Sequence, residues 1–434
     1  MRSRNDNNCA GSDRNDNTCA TETTTIALEV TGTTTITLQE RQQKGRSMNA
    51  RTPRGFRDIL PAEAQIREST VTSIQDVFAL WGYLPVETPT LEMVSAFESF
   101  GFANSTTFKL FDSDGELLVM RPDVTLPIAR LVGTRIGAPT ANEALRLRYK
   151  QTVFREERAF ETQARALTHV GVECIGPSSL ATDAEILLIL AEAIDAAGIK
   201  DYTIALCTVS FLQAILDACE NSATVDNNWR QAVLTAWHKS DLVGIDTLME
   251  DPKIDKRYSQ AISALARTQG SAEAIATCRQ LILSLKTNGA SGDSDIKRLT
   301  AGLDRLEKTF SLIKELRPDV DWLIDFSLMG SFDYYTGLMF AAFAPGAGYT
   351  LASGGRYDQT LAQFGAPAPA IGFAIFLERV IATLFKTEQL YPENNTGSQI
   401  EQIYIDPETP IEGFRQAQKQ RALGRSVVLY ETEA

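Results

Sequence analysis

Histidine is nearly absent from this chain. Its 434 residues hold two, His169 and His238, which excludes most histidine-rich metal centres and histidine-based triads. Six cysteines (Cys9, Cys19, Cys174, Cys207, Cys219 and Cys278) lie scattered with no CxxC pair. Two sit in a polar head and four in apolar segments, so buried reduced thiols are expected rather than disulfides or zinc. No apolar run approaches the roughly 20 residues that span a bilayer, and no basic-then-apolar leader opens the chain. A cytoplasmic protein is the expectation. Basic charge is also in deficit: 42 Lys and Arg face 55 Asp and Glu, a net charge of −13. That balance argues against a surface that wraps nucleic acid.

What is present is an ordinary globular composition, 44% hydrophobic and 22% charged, in a chain long enough for two or three domains. Residues 1–48 differ from the rest. "RNDNNCA" returns as "RNDNTCA" and "TTTI" occurs twice; so polar a repeat buries too little to offset its ordering entropy, and disorder is expected. Met48 offers a second start. From Glu63 to Gly82 apolar residues recur at helical spacing (Ile66, Val71, Ile74, Val77, Phe78, Trp81), with Gly82 as the stop. "ALRLRYKQTVFREER" and "ARALTHVGVECIG" are β-rich runs on either side of a charged turn. Thr182 and Glu185 form the pattern of a capping box for a helix closed by Gly198. From about 208 to 316 successive amphipathic helices suggest a helical insertion. Strand signals return at "VDWLIDFSLM", "DYYTGLMFAAFAP" and "YTLASGG", as in an antiparallel meander. The last stretch, 387–434, holds a polar linker and then a strand, a helix and a strand. It is too small for an independent nucleic-acid module.

Four islands carry chemistry. In "RPDVTLPIAR", Asp123 and Thr125 face the same way if extended and can hold an ammonium group; alternatively Asp123 caps a helix beginning near Val124. In "VFREER", Arg155 ends a strand where a guanidinium suits a carboxylate or phosphate, or is solvated charge. In "THVGVE", Glu173 lies in an apolar strand and needs a partner, either a cationic ligand or an internal arginine. "DYYTG" and "ASGGRYD" pair Tyr334 and Tyr335 with a double glycine that permits close backbone approach.

Together and in this order, with "PRGFRDILP" before them and "PAIGFAIFLER" after, these islands resemble the class II aminoacyl-tRNA synthetases. The likeness, over roughly Thr52 to Arg379, is to histidyl-tRNA synthetase and its paralogue, the regulatory subunit of ATP phosphoribosyltransferase. It implies an α+β fold: an antiparallel sheet flanked by helices, dimeric, with a helical insertion, spanning 49–386. It also implies a histidine pocket. Asp123 and Thr125 would hold the α-ammonium, Glu173 and Tyr335 the two imidazole nitrogens, with Tyr334 beside them, and Arg155 would attract the carboxylate. His169 stands where the family has glutamine near the ammonium; packing within the strand is the favoured alternative to ligand contact, and if protonated it would repel the ammonium. No cofactor or metal is implied.

Four departures from the synthetase point one way. Gly330 replaces an arginine that stabilises the transferred phosphoryl charge, a loss of order 10² or more in rate. Phe376 replaces the glycine against which adenine lies. Thr162 and Gln163 replace a glycine-arginine, and the C-terminal stub is about half an anticodon-binding domain. The expectation is therefore a non-catalytic regulatory subunit, partnered with a short-form catalytic ATP phosphoribosyltransferase and sensing histidine, with no nucleic acid or membrane partner. The alternative is a divergent histidyl-tRNA synthetase.

Overall fold

The computed structural model describes residues 51–97, 107–140, 143–155, 164–222, 227–287, 293–328, 334–386, 401–405 and 410–431. The repetitive head, Gly330, the Thr162–Gln163 loop and the linker before residue 401 lie outside them.

Helix α1 (Pro61–Leu80) begins with proline in its first turn, where a missing amide costs nothing, and buries Val71, Ile74 and Phe78. Gly82, at φ 80°, turns the chain out of it. Strands β1 (Leu84–Pro85), β2 (Leu91–Met93), β3 (Lys109–Phe111) and β4 (Leu117–Met120) follow, then α2 (Thr125–Leu131). The long hairpin β5 (Leu145–Phe154) and β6 (Ala166–Ile175) pairs in unbroken register. Helix α3 (Leu180–Ala196) leads to β7 (Thr203–Thr208).

Six helices come next: α4 (Val209–Ser222), α5 (Asn227–His238), α6 (Leu242–Met249), α7 (Lys256–Leu265), α8 (Ala272–Thr287) and α9 (Asp293–Leu316), with β8 (Gln269–Gly270) between α7 and α8. They occupy the stretch expected to be a helical insertion. Then β9 (Asp321–Asp325), β10 (Leu338–Phe343), β11 (Thr350–Arg356), β12 (Ala370–Phe376) and α10 (Leu377–Lys386) complete the main body. The C-terminal β13 (Glu401–Ile405), α11 (Pro410–Ala422) and β14 (Val427–Glu431) form a two-stranded parallel unit with its own small core.

Nine strands make one sheet in the order β1-β5-β6-β12-β11-β10-β7-β9-β8, antiparallel except for the β1/β5 and β7/β9 pairs. β2, β4 and β3 form a separate antiparallel sheet. Two expectations need correction. β10, β11 and β12 are the meander, but β9 does not join it: it pairs in parallel with β7, as a strand reached through a helical crossover must. The cap of α3 is Ser179, whose hydroxyl accepts from the Thr182 amide. Glu185 is instead engaged by Arg146 at 2.8 Å and Tyr83 at 2.9 Å, a long-range claim that local spacing does not show.

The four cysteines among the described residues are in no disulfide and are buried. Burial pushes their thiols up, to about 11 at Cys174 and about 12 at Cys278, so they are inert core residues.

Candidate functional site

The central sheet carries a floor without side chains. Across it Glu173 of β6 pairs with Gly372 of β12, and Gly372 with Gly355 of β11. A Cβ on Gly372 would lie 1.9 Å from the Glu173 Oε2, so only glycine leaves the carboxylate its place. A Cβ on Gly355 would meet the Tyr335 ring at 2.8 Å. The double glycine thus lets a phenol lie flat against the strand, and its neighbour lets a carboxylate do the same.

Glu173 is 1% exposed. Its Oε1 accepts from the Thr125 hydroxyl at 2.8 Å and its Oε2 from the Tyr357 hydroxyl. Burial weakens it as an acid, pushing its pKa up to about 8, and the two hydrogen bonds pull only partly the other way. Among the described residues no arginine serves it, and phenol and hydroxyl are its partners. Asp123 is also buried and raised by desolvation.

Around this floor stand Asp123, Thr125, Arg155, His169, Tyr334 and Tyr335. The Tyr334 and Tyr335 ring centroids are 4.8 Å apart, and Tyr334 meets Tyr357 edge-on at 5.9 Å. Arg155 Nε donates to the Pro122 carbonyl at 3.0 Å, which fixes the guanidinium beside Asp123. Asp123 and Thr125 are not extended. Asp123 Oδ1 accepts from the Leu126 amide at 2.9 Å, so the helix-capping reading is the one realised, while Thr125 turns to Glu173.

His169 is placed where its charge does not arise. It is 3% exposed, and burial first, then Arg155, Arg379 and Arg121, holds its basicity well below the usual range. Burial thus favours the neutral imidazole, the form in which the conditional repulsion does not arise. Its ring stands 5.0 Å from that of Phe376, and the Arg379 guanidinium covers Phe376 at 4.6 Å. Phe376 thus walls the pocket as part of a packed stack. The free space inside is about 20 Å³, close to what houses a single water.

All seven residues singled out from the sequence meet here. Tyr357 and Ser353, which also line the pocket, were not singled out. Tyr357 was legible in principle: it follows Arg356, so alternation along β11 turns it to the face of Gly355.

The family model for histidyl-tRNA synthetase matches residues 55–380. ATP phosphoribosyltransferase regulatory subunits are similar over most of the chain. That of Moorella thermoacetica is 32% identical over 334 residues, 76% of this chain and 80% of its own. That of Desulfitobacterium hafniense (strain Y51) is 30% identical over 347 residues, 80% and 85%. A solved Bacillus halodurans structure, described as an ATP phosphoribosyltransferase regulatory subunit/histidyl-tRNA synthetase, superimposes with TM-score 0.74 at 25% identity, covering 89% of this chain and 94% of that one. Histidyl-tRNA synthetase from Nostoc sp. PCC 7120 shares the fold at TM-score 0.72 and 21% identity, covering 89% and 87%. With its synthetase-type fold and these relatives, the chain belongs to the histidyl-tRNA synthetase family, among the ATP phosphoribosyltransferase regulatory subunits.

Proposed function

We propose that the chain works as a non-catalytic regulatory subunit of a short-form catalytic ATP phosphoribosyltransferase, and that the pocket over Gly372 and Gly355 takes free histidine as the feedback signal. The observation that carries this reading is Glu173, a buried acid that among the described residues accepts only from two hydroxyls. An imidazole presents the N–H or charge that such a group lacks, and the Tyr335 hydroxyl faces the second ring nitrogen. Asp123 and Arg155 then meet the ammonium and carboxylate. A site that hydrogen-bonds both ring nitrogens rejects isosteres lacking them.

The small free volume gives the signal its route. A histidine is larger than about 20 Å³, so Tyr334 and Tyr335 are expected to shift to admit it. A ligand that binds only the opened form biases the chain toward that form, typically with 1–3 kcal/mol of coupling. The partner reads this bias as inhibition. Phe376 on the adenine side, and Gly330 in place of a cation, support the absence of adenylate chemistry.

Self-association as a dimer belongs to the same reading. Leu91, Met93 and Leu110 are exposed, and cross-strand register puts them with Leu118 and Met120 on one face of the small sheet. So apolar a face suits a second copy.

Titration calorimetry with histidine tests the pocket. Wild type is expected to bind, and Glu173→Gln to bind about tenfold or more weakly with its fold retained. Equal affinity in both would sink the assignment.

A further inference from the structure

A second cavity, of about 170 Å³, lies on the other face of the sheet, between β11, the start of α3, the start of α4 and insertion helix α9. At its base Asp183, with no exposed surface, is clasped from two sides. Arg356 Nε and Nη2 reach its Oδ1 at 3.0 and 2.5 Å, and Arg305 Nε of α9 reaches its Oδ2 at 2.6 Å. Arg356 Nη1 also donates to Asp358 at 3.0 Å. Arg305 donates to the carbonyls of Ser178 and Ser179 at 3.1 and 3.3 Å.

The decisive property is the imbalance between donors and acceptors. Each guanidinium has five N–H groups; Arg356 commits three and Arg305 three, which leaves about two apiece. The walls add Thr208 and Ser210, whose hydroxyls share one hydrogen bond at 2.8 Å and so leave one proton free between them, and Thr309. Thr309 is 1% exposed and its hydroxyl has no hydrogen-bond partner. The first turn of α4 opens here too: the Val209 amide is taken by the Gly337 carbonyl, while the amides after it have no carbonyl four residues back. Both Asp183 oxygens are already spent. A cation would find one open carboxylate oxygen, Asp358 Oδ2, set against two guanidinium groups, and a neutral sugar would leave most of its own hydroxyl protons unmatched. A group that only accepts hydrogen bonds matches the donors present.

We infer that this cavity is a second ligand site, for a small oxyanion: the carboxylate or phosphate group of a metabolite held between Arg305, Ser210 and the first turn of α4. It is separate from the proposed histidine pocket and does not depend on it. Because Arg305 belongs to the insertion and Arg356 to the sheet, an anion there tightens one against the other.

The test uses the full chain, with inorganic phosphate in one arm and acetate in the other, at ionic strength fixed with potassium chloride. Thermal unfolding and calorimetry follow binding. Saturable stabilisation by at least one anion is expected, and which one acts separates phosphate from carboxylate chemistry. Ser210→Ala and Arg305→Gln should each weaken it about tenfold, while the melting temperature of Ser210→Ala in chloride stays near wild type. Stabilisation that is equal in wild type and Ser210→Ala would be a general salt effect and would overturn the site. So would the absence of a saturable response to either anion. A failed histidine titration would not touch this result, since the two pockets share no ligand.

Discussion

Arg356 and Tyr357, consecutive in the chain, reach to opposite faces of the sheet, and each grips a buried carboxylate. Arg356 holds Asp183, and Tyr357 donates to Glu173. Breaking either grip leaves a buried polar group without its partner, but the two losses differ in kind. One is an ion pair and the other a hydrogen bond to an acid that is largely protonated near neutrality.

The ion pair predicts a large stability effect. Asp183→Ala leaves Arg356, itself 3% exposed, facing only Asp358, and removal of one partner from a buried pair costs about 3–5 kcal/mol. Denaturant unfolding should show that loss, whereas Asp358→Ala, at the half-exposed end, should lose clearly less.

The acid on the other face predicts a pH dependence. Glu173 is raised from 4.5 to about 8, so between those values the folded state keeps a proton that the unfolded state has released. Stability is therefore full below about 4.5 and falls as pH rises through about 8, by at most about 1.4 kcal/mol per unit. Melting temperatures across that window should decline in wild type and flatten in Glu173→Gln. A parallel decline in the two would assign the slope to other groups.

Gly372→Ala tests the floor. Its methyl collides with the Glu173 carboxylate, and overpacking of this kind costs about 1–3 kcal/mol. Histidine affinity should fall with it, because the carboxylate must leave its place. Gly424→Ala, at a surface turn with open space around it, is a control for a glycine loss that should leave affinity intact.

Adenylate chemistry is expected to be absent. Histidine-dependent exchange of labelled pyrophosphate into ATP should stay at background for the purified chain and for its complex with a catalytic subunit. Clear exchange would mean that a cation supplied from elsewhere replaces the one missing at Gly330.

Much of the fold was legible because period decides it. The 3.6-residue spacing of α1 and the long paired runs of β5 and β6 announce themselves. β7 did not: "TIALCT" is a short apolar run with no alternation, buried on both faces, and it passes directly into α4. The capping box at Thr182 failed because Glu185 is bound by Arg146 and Tyr83, partners far off in sequence. The site was legible only through resemblance. Nothing local in "RPDVT" or "THVGVE" says that Thr125 and Glu173 touch, since β-sheet register brings them together. The lowered basicity of His169 was equally hidden, because it depends first on burial in the folded sheet and then on three arginines from separate segments.

The bare Cα of Gly372 also offers a way to sort relatives of this chain. Any homologue with a side chain at that place has no room for a carboxylate at the Glu173 position. If the pocket takes histidine as proposed, such a relative is expected to keep the scaffold and lose the response to the end product.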